Sequence, residues 1–373
     1  AVPNEGDHFK NWTGDTVSTN PTLTVANVTK DMAVTANFAQ ILYRLVWSSE
    51  VNGNIKNSDI FMYNGKTIKK ITNDEYSNKY PKISGNNAIW IGFVNTVDKS
   101  VFFYDGNTTK AIYEKIRSIN PNYLYLSGTN AAWIATTERS DDESIYFYNG
   151  NTVTILAGGY QERVYSMHLS GSNVVWETYV DGNKEIYFYD GNTRQRLTKN
   201  KYPDENPKIS GNNIVWVGNT GSSSEIFFYN GDKIQQLTKN NVVDHSPKIS
   251  GNNIVWECNF GSNNSEIFFY DGKSVKQITN NRKVNFNSQI SGKSIVWVTG
   301  VGGKNTEIFF YDGKSVQQIT DNDYPDENPQ ISGKYIVWEG KNGTDSEIFF
   351  YDGKFVQQIT DNDYPDENPQ ISE

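Results

Sequence analysis

The chain has 373 residues, and its 34 Lys and Arg against 43 Asp and Glu give a formal net charge of −9. This acidity argues against a nucleic-acid binder or a partner of anionic membranes, since both need basic patches, and no apolar stretch is long enough for a membrane span. A single cysteine, Cys258, excludes an internal disulfide, and His8, His168 and His245 are too few and too scattered for a histidine-built metal centre. We therefore expect no nucleic acid among the partners, no membrane insertion and a monomer.

The first 40 residues form a segment of their own. Residues 23–26 and 33–38 are typical of two strands around a turn, and so short a segment cannot bury much core. The predicted boundaries are a short β module over residues 1–40 and a larger domain over residues 41–373.

The larger domain is a repeat, and the repeat decides the fold. Eight tryptophans recur at intervals of 40 to 43 residues, and an Asn-Gly or Asp-Gly pair recurs in phase with them. Such a pair between apolar runs predicts a tight hairpin in which both central residues have positive φ. The tryptophans are Trp47, Trp90, Trp133, Trp176, Trp216, Trp256, Trp297 and Trp338.

One unit, residues 328–360, shows what each repeat forms. Four short strands are predicted over residues 328–332, 335–338, 347–351 and 355–360, and the tight or polar links between them predict a four-stranded meander. The second and third runs are apolar at consecutive positions, so both faces of the sheet need cover. Sheets that repeat in this way and stack face to face around an axis form a β-propeller.

The two ends of the repeat region predict how the propeller closes. The first unit begins at Ile41 without a first strand of its own, and residues 368–372 are a first strand with no successor. Joining them completes an all-β, eight-bladed propeller of four-stranded blades and removes the open edges. A seven-bladed ring with one spare unit is the alternative, and it leaves an apolar sheet exposed.

The repeat resembles the TolB-type propeller repeat over residues 41–372. The resemblance lies in the order and spacing of a proline-containing strand, two apolar strands and a terminal Leu-Thr or Ile-Thr. The matching stretches of one unit are Asn206-Pro207-Lys208-Ile209-Ser210-Gly211, Ile214-Val215-Trp216, Glu225-Ile226-Phe227-Phe228-Tyr229 and Leu237-Thr238. The turn departs from the family pattern, because Ser-Gly-Asn-Asn or Ser-Gly-Lys replaces Ser-Pro-Asp-Gly.

The N-terminal segment resembles a second family. Residues 8–15 (His-Phe-Lys-Asn-Trp-Thr-Gly-Asp) and 34–38 (Val-Thr-Ala-Asn-Phe) are similar to the tail of an internalin-type B repeat, a stalk-like module of bacterial surface proteins. This resemblance implies a secreted or cell-surface bacterial protein, with the periplasm as the alternative.

Loops at one end of the sheets are predicted to carry binding. In a meander, the connectors between strands two and three and between units share one face, and they vary more than the tight turns of the other face. Variable loops on a rigid scaffold are where binding usually occurs. The candidate binding-face residues are Arg139, Asp141, Asp142, Asp204 and Glu205.

The acidic unit-to-unit connectors allow two interpretations. Asp and Asn can cap backbone groups in a proline-fixed turn, or closely spaced carboxylates can offer oxygen ligands to calcium, the one cofactor considered. The pattern lacks the glycine and the distal glutamate of a calcium loop, which favours turns. The candidate ligands are Asp321, Asp323, Asp326, Asp361, Asp363 and Asp366.

A third set of polar residues lies on the first strands, one position before the last apolar residue. First strands should line the central axis, so these side chains are predicted to line a channel, either simply to stay in water or to bind an anionic group. The set is Lys82, Tyr125, His168, Lys208, Lys248, Gln289, Gln330 and Gln370.

The sequence does not indicate an enzyme. No Gly-x-Ser-x-Gly elbow occurs, and Asp244, His245 and Ser246 are neighbours in sequence, which seldom form a working triad. The expected function is a non-catalytic extracellular adhesion module that presents variable loops to a protein or glycan. A structural spacer without ligand is the alternative, and a polysaccharide-active enzyme using residues such as Arg163, Tyr165 and His168 is third.

Overall fold

The computed structural model describes residues 7–14, 34–40, 43–51, 54–137, 140–160, 162–302, 305–341 and 345–372. Two compact units are present, residues 1–43 with residue 373 and residues 44–372. In the first unit, β1 (Asp7–Gly14) pairs antiparallel with β2 (Val34–Gln40), and the strand predicted over residues 23–26 lies outside the described residues. Within the described ranges, all regular elements are strands, and no helix is long and apolar enough to cross a membrane.

The second unit is built from antiparallel sheets whose strands follow one another in chain order. The first sheet joins both ends of the chain, with β33 (Asp366–Ser372) paired to β3 (Arg44–Val51), followed by β4 (Asn54–Tyr63) and β5 (Ile68–Lys70). The second contains β6 (Ser77–Ser84), β7 (Asn87–Phe93), β8 (Lys99–Tyr104), β9 (Thr109–Ser127), β10 (Asn130–Thr137), β11 (Ser140–Tyr148) and β12 (Val153–Gly158).

Five further sheets contain four strands each. They are β13 (Arg163–Ser170), β14 (Asn173–Val180), β15 (Asn183–Tyr189) and β16 (Arg194–Arg196); then β17 (Asp204–Ser210), β18 (Asn213–Asn219), β19 (Ser224–Tyr229) and β20 (Ile234–Gln236); then β21 (Val243–Ser250), β22 (Asn253–Asn259), β23 (Ser265–Tyr270) and β24 (Val275–Gln277); then β25 (Asn285–Ser291), β26 (Ser294–Gly302), β27 (Asn305–Tyr311) and β28 (Val316–Gln318); and last β29 (Asp326–Ser332), β30 (Tyr335–Lys341), β31 (Ser346–Tyr351) and β32 (Val356–Gln358).

The seven-stranded sheet departs from the predicted separation of the second and third units. β9 is one strand of 19 residues whose beginning pairs with β8 and whose end pairs with β10. The segment that connects these units, residues 112–117 (Ile-Tyr-Glu-Lys-Ile-Arg), lacks the Asn, Asp, Pro and Gly turn residues that the other connectors contain in various combinations. The backbone therefore continues as a strand where elsewhere it turns.

The first strand of each repeat contacts the first strand of the next. These inner strands, β33, β6, the second half of β9, β13, β17, β21, β25 and β29, contact one another in that order, and β29 contacts β33 again. Hydrogen bonds connect their ends, because the serine that ends an inner strand accepts the backbone N–H of a glycine in the following repeat at 2.8–2.9 Å. The pairs are Ser372–Gly85, Ser84–Gly128, Ser127–Gly171, Ser170–Gly211, Ser210–Gly251, Ser250–Gly292 and Ser291–Gly333.

The hydrophobic core lies between consecutive sheets, as the two-sided apolar strands predict. In one interface, Val215 and Ile226 of one sheet pack with Ile254 and Trp256 of the next. All eight repeat tryptophans are at most 1% exposed. The prediction that they belong to the core is confirmed.

The Asp-Gly hairpins are longer than predicted. At residues 312–315, Tyr311 pairs with Val316, so four residues form the loop. Gly313 alone of the Asp-Gly pair has a positive φ, of 93°, and the Asp312 carboxylate accepts the backbone N–H groups of Lys314 and Ser315 at 2.7 Å. The aspartate side chain thus closes the loop, and the expectation of positive φ at both residues was wrong.

A buried hydrogen bond fixes most tryptophan indoles. Trp216 donates from Nε1 to Asp204 Oδ1 at 2.8 Å, and the second carboxylate oxygen accepts Asn200 Nδ2 at 2.6 Å. Trp133 and Trp176 differ, because their indole nitrogens have no hydrogen-bond partner among the described residues. The equivalent acceptors elsewhere are Asp366 for Trp47, Asn78 for Trp90, Asp244 for Trp256 and Asp326 for Trp338.

This difference gives a test of the bond. Trp216→Phe removes the indole donor and leaves a buried carboxylate oxygen unpaired, whereas Trp133→Phe makes the same truncation without losing a hydrogen bond. We expect Trp216→Phe to reduce the free energy of unfolding by about 1–3 kcal/mol more than Trp133→Phe does. Guanidinium denaturation followed by tryptophan fluorescence measures both, and equal losses would contradict the role of the bond.

Candidate functional site

The predicted channel residues occupy one level of the inner strands. Each pairs with the residue that immediately precedes the tryptophan of its sheet, as Lys82 pairs with Ile89, Lys208 with Val215 and Gln370 with Val46. All eight side chains are half-buried. Because the inner strands contact one another in cyclic order, equal register brings these residues to the same height around the axis.

The charge of Lys248 acts on the other two lysines of this level. Burial, and then the charge of Lys248, lowers the pKa of Lys82 to about 8 and that of Lys208 to about 7. Burial also lowers the pKa of Lys248. Lys82 and Lys248 are on β6 and β21, four places apart in the cycle of inner strands. The charge of Lys248 thus acts on Lys82 although their strands lie far apart in the chain and in the cycle of inner strands.

His168 and Tyr125 lie at the same level. Burial, followed by the charges of Lys208 and Lys248, lowers the pKa of His168 well below its ordinary value, which favours the neutral ring. Its Nδ1 accepts the backbone N–H of Ile209 at 3.3 Å, so the neutral ring carries its proton on Nε2. The Tyr125 ring meets the imidazole edge-on at a centroid distance of 4.7 Å, and burial raises the pKa of Tyr125.

Sequence reasoning missed three glutamates that follow a tryptophan directly: Glu177 and Glu257, which are buried, and Glu339, which is half-buried. Each bridges to the inner strand of the next sheet by accepting a backbone N–H, from Asn206 at 3.0 Å, from Ser288 at 3.0 Å and from Asn368 at 2.5 Å, respectively. The sequence signal that could have identified these glutamates is the Trp-Glu pair, which recurs at every second unit from the fourth onward. Burial raises the pKa of Glu257 and of Glu339.

Two residues of the predicted binding face, Asp204 and Glu205, are engaged by other residues of the fold. Asp204 is 4% exposed, and its carboxylate accepts hydrogen bonds from Trp216 and Asn200. Glu205 forms an ion pair with Lys184 at 2.7 Å. Asp142 is exposed, and its backbone N–H donates to Ser140. Arg139 lies outside the described residues, and so does the side chain of Asp141. The expectation that Asp204 faces a ligand is corrected, because the fold uses its carboxylate internally.

The candidate calcium ligands divide into buried and exposed groups. Asp326 and Asp366 are buried, and their carboxylates accept Trp338 and Trp47, respectively, together with an asparagine amide each. Their pKa values are raised by burial. The other four are exposed: Asp321, Asp323, Asp361 and Asp363. In the part of the chain that the structure describes, no three or more His, Cys, Asp or Glu residues form a group that could hold a metal ion.

His245 and Ser246 do not have triad geometry. Ser246 Oγ lies 3.1 Å from Nδ1 of His245, and Glu257 Oε2 lies 3.7 Å from the same nitrogen. A triad needs the nucleophile and the carboxylate on opposite ring nitrogens. Asp244 instead accepts the indole of Trp256.

Equivalent grooves open beside two inter-unit connectors. One, of about 500 Å³, is lined by Phe61, Tyr364 and neighbouring residues, and the other, of about 470 Å³, by Phe227, Tyr202 and theirs. Each is lined by a connector, by the buried aspartate that follows it (Asp366 or Asp204) and by a phenylalanine of a neighbouring strand (Phe61 or Phe227).

The N-terminal segment matches a known family. A profile described as "Divergent InlB B-repeat domain" matches residues 1–42. The search of curated proteins finds no significant match.

Solved structures similar to the chain are β-propellers. The propeller domain of the Trilobed protease from Pyrococcus furiosus is 13% identical with a TM-score of 0.56, covering 78% of this chain and 99% of that domain. A prolyl endopeptidase is 10% identical with a TM-score of 0.60, covering 78% of this chain but 50% of the endopeptidase. TolB from Acinetobacter baumannii is 14% identical with a TM-score of 0.42, covering 80% of this chain and 82% of TolB.

These comparisons confirm both resemblances and correct the expected function. The B repeat is confirmed by the profile, and the β-propeller by the similar structures. The interpretation as an adhesion module is wrong: the similar structures include the propeller domain of a protease and a prolyl endopeptidase, and Asp204 of the predicted binding face is buried. At 10–14% identity the likeness itself shows the fold alone.

The buried aspartate predicts a pH effect on stability. Burial raises the pKa of Asp204 to about 6, above its value in the unfolded chain, so the folded state holds the proton more tightly and gains stability as the pH falls from 7 to 5. Asp204→Asn removes this titration. The gain begins near the folded-state pKa of about 6, and each pH unit below it is worth about 1.4 kcal/mol. We therefore expect wild type to gain about 1 kcal/mol over the variant across this range, measured as melting temperature against pH.

Asparagine is tolerated in this role, since Asn285 occupies the equivalent position and exchanges amide hydrogen bonds with Asn281. Asp323→Asn, in an exposed loop, is the matched control and should follow wild type. Parallel curves for wild type and Asp204→Asn would refute the raised pKa.

Proposed function

We propose that residues 44–372 form an eight-bladed, non-catalytic β-propeller that binds an extended peptide segment in its central channel. The cyclic contact of the inner strands carries this proposal. Six of the seven sheets correspond to one blade each. The seven-stranded sheet corresponds to two, because β9 serves as the fourth strand of one blade and the first strand of the next, which gives eight blades. The pairing of β33 with β3 supports closure by a strand from the C-terminal end.

The channel is favoured over the loop face by the distribution of polar side chains. The connector carboxylates at Asp204, Asp326 and Asp366 are hydrogen-bonded inside the fold. The inner strands instead direct half-buried lysine, glutamine, histidine and tyrosine side chains to one level. Concave sites with a few convergent polar groups are typical ligand sites.

A peptide is favoured by the proteins of similar fold, which include a protease and a prolyl endopeptidase. The absence of catalysis is supported by the geometry of His245, whose one nitrogen faces both Ser246 and Glu257. The match of residues 1–42 to a B repeat supports a place at the bacterial surface or in the periplasm.

The proposal predicts that narrowing the channel abolishes peptide binding. Gln289→Trp/Gln330→Trp adds bulk at the channel level, whereas Gln235→Trp/Gln357→Trp adds it at exposed positions of outer strands. Each protein is incubated with peptides from a digested, denatured carrier protein, separated by size exclusion, and analysed by mass spectrometry. We expect intact peptides to be retained by wild type and by the outer-strand variant but not by the channel variant.

Two results would contradict the proposal. Failure of wild type to retain any peptide would refute peptide binding. Equal retention by the channel variant would place the peptide elsewhere, for example in the grooves beside Tyr202 and Tyr364. Circular dichroism and melting temperatures of both variants are the folding control, and a loss of binding counts only for a variant that retains the wild-type spectrum and melting temperature.

A further inference from the structure

The charge at the channel level is opposite to that of the whole chain. The protein carries nine more acidic than basic residues, but none of the eight equivalent inner-strand positions is acidic. Three are lysines, three are glutamines, and the remaining two are Tyr125 and His168. Every one of these side chains except the tyrosine offers at least one N–H donor in any accessible protonation state.

The three lysines lack carboxylate partners. Among the described residues, Lys82, Lys208 and Lys248 form no ion pair, although Lys70, Lys184 and Lys276 each do. The Nζ atom of Lys208 reaches only a backbone carbonyl, that of Pro207, at 3.3 Å. A half-buried ammonium group without a counter-charge is energetically unfavourable, so an anion bound in the channel would stabilise the charged form of these lysines.

The carboxylates that act on two of these lysines already have other hydrogen-bond partners. The charge of Glu177 partly offsets the lowering of the pKa of Lys208, and the charge of Glu257 does the same for Lys248. Glu177 accepts Ser166 Oγ at 2.9 Å and pairs with Lys184 at 2.9 Å, and Glu257 accepts both the N–H and the hydroxyl of Ser288. These glutamates therefore serve the contacts between sheets rather than neutralising the channel.

The lysines and glutamines are arranged on different parts of the ring. In cyclic order, the inner strands carry Gln370, Lys82, Tyr125, His168, Lys208, Lys248, Gln289 and Gln330. Lys208 and Lys248 are adjacent, with Lys82 on the opposite side. An anionic chain that passes between them is within reach of positive charge from two sides and of the amide donors of the glutamines beside them.

We propose that Lys82, Lys208 and Lys248 form a binding site for carboxylate groups, so that the channel selects acidic segments of a peptide. This specificity rests on the proposed peptide-binding function. Carboxylates neutralise the three ammonium groups and accept hydrogen bonds from them, and charge-assisted bonds of this kind are the stronger ones. The same groups repel basic peptides, which adds discrimination.

Glutamine is the natural substitution for a test. Lys82→Gln/Lys208→Gln/Lys248→Gln gives all three positions the residue that Gln289, Gln330 and Gln370 already place there, so folding should be preserved. Lys66→Gln/Lys233→Gln/Lys314→Gln makes the same change in net charge at exposed hairpin loops. Fluorescence polarisation measures the binding of a labelled oligoglutamate peptide and of an oligoglutamine peptide of equal length to the full chain.

We expect wild type and the hairpin variant to bind oligoglutamate about tenfold or more tightly than oligoglutamine, and the channel variant to lose this preference. Equal affinity of wild type for both peptides, or a preference that survives in the channel variant, would overturn the carboxylate site while leaving peptide binding intact. Binding of neither peptide would overturn the site and the proposed function together.

Inorganic phosphate distinguishes a peptide site from a site for any small oxyanion. Added as a competitor at constant ionic strength, it should displace oligoglutamate only weakly if the peptide engages lysines on both sides of the channel. Displacement at phosphate concentrations as low as those of the peptide would overturn the assignment to peptide carboxylates.

Discussion

Each sheet of residues 44–372 is apolar on both faces, and this constraint determines the rest of the structure. A strand such as β18, with Ile214, Val215 and Trp216 all buried, can be kept from water only by a similar sheet on either side. Repetition meets this need for every sheet except the first and the last. The pairing of β33 with β3 removes those ends by building one sheet from both ends of the domain.

Stacking of this kind also decides what polar side chains can do. Near the connectors, carboxylates such as Asp204 and Glu177 are enclosed between sheets, and they satisfy indole, amide and backbone N–H groups that would otherwise be buried without partners. Among the described residues, Lys82 and Lys248 on the inner strands form no ion pair, unlike Lys70, Lys184 and Lys276. Buried carboxylates are therefore used within the fold, whereas the lysines of the proposed channel remain available to a ligand.

The repeat was predictable from sequence because it depends on spacing, and so were the burial of the tryptophans and the pairing of the two ends. The role of Asp204 was not, because an aspartate in a connector looks the same whether it caps a turn or accepts an indole from Trp216 on the following strand. The inner-strand residues were predictable as a set. The effect of the Lys248 charge on the pKa of Lys82 could not be predicted from sequence, because it depends on how close two strands lie that are far apart in the chain.

The most direct test of the common channel is the pKa of Lys208, followed by NMR titration of isotope-labelled lysine side chains in wild type and in Lys248→Gln. Lys208 also lies near Glu177 and His168, which the substitution leaves in place. If the inner strands surround one channel, the pKa of Lys208 is about 7 in wild type and rises toward its ordinary value in the variant, and the pKa of Lys82 rises with it. Values that are unchanged by the loss of Lys248 would contradict the common channel.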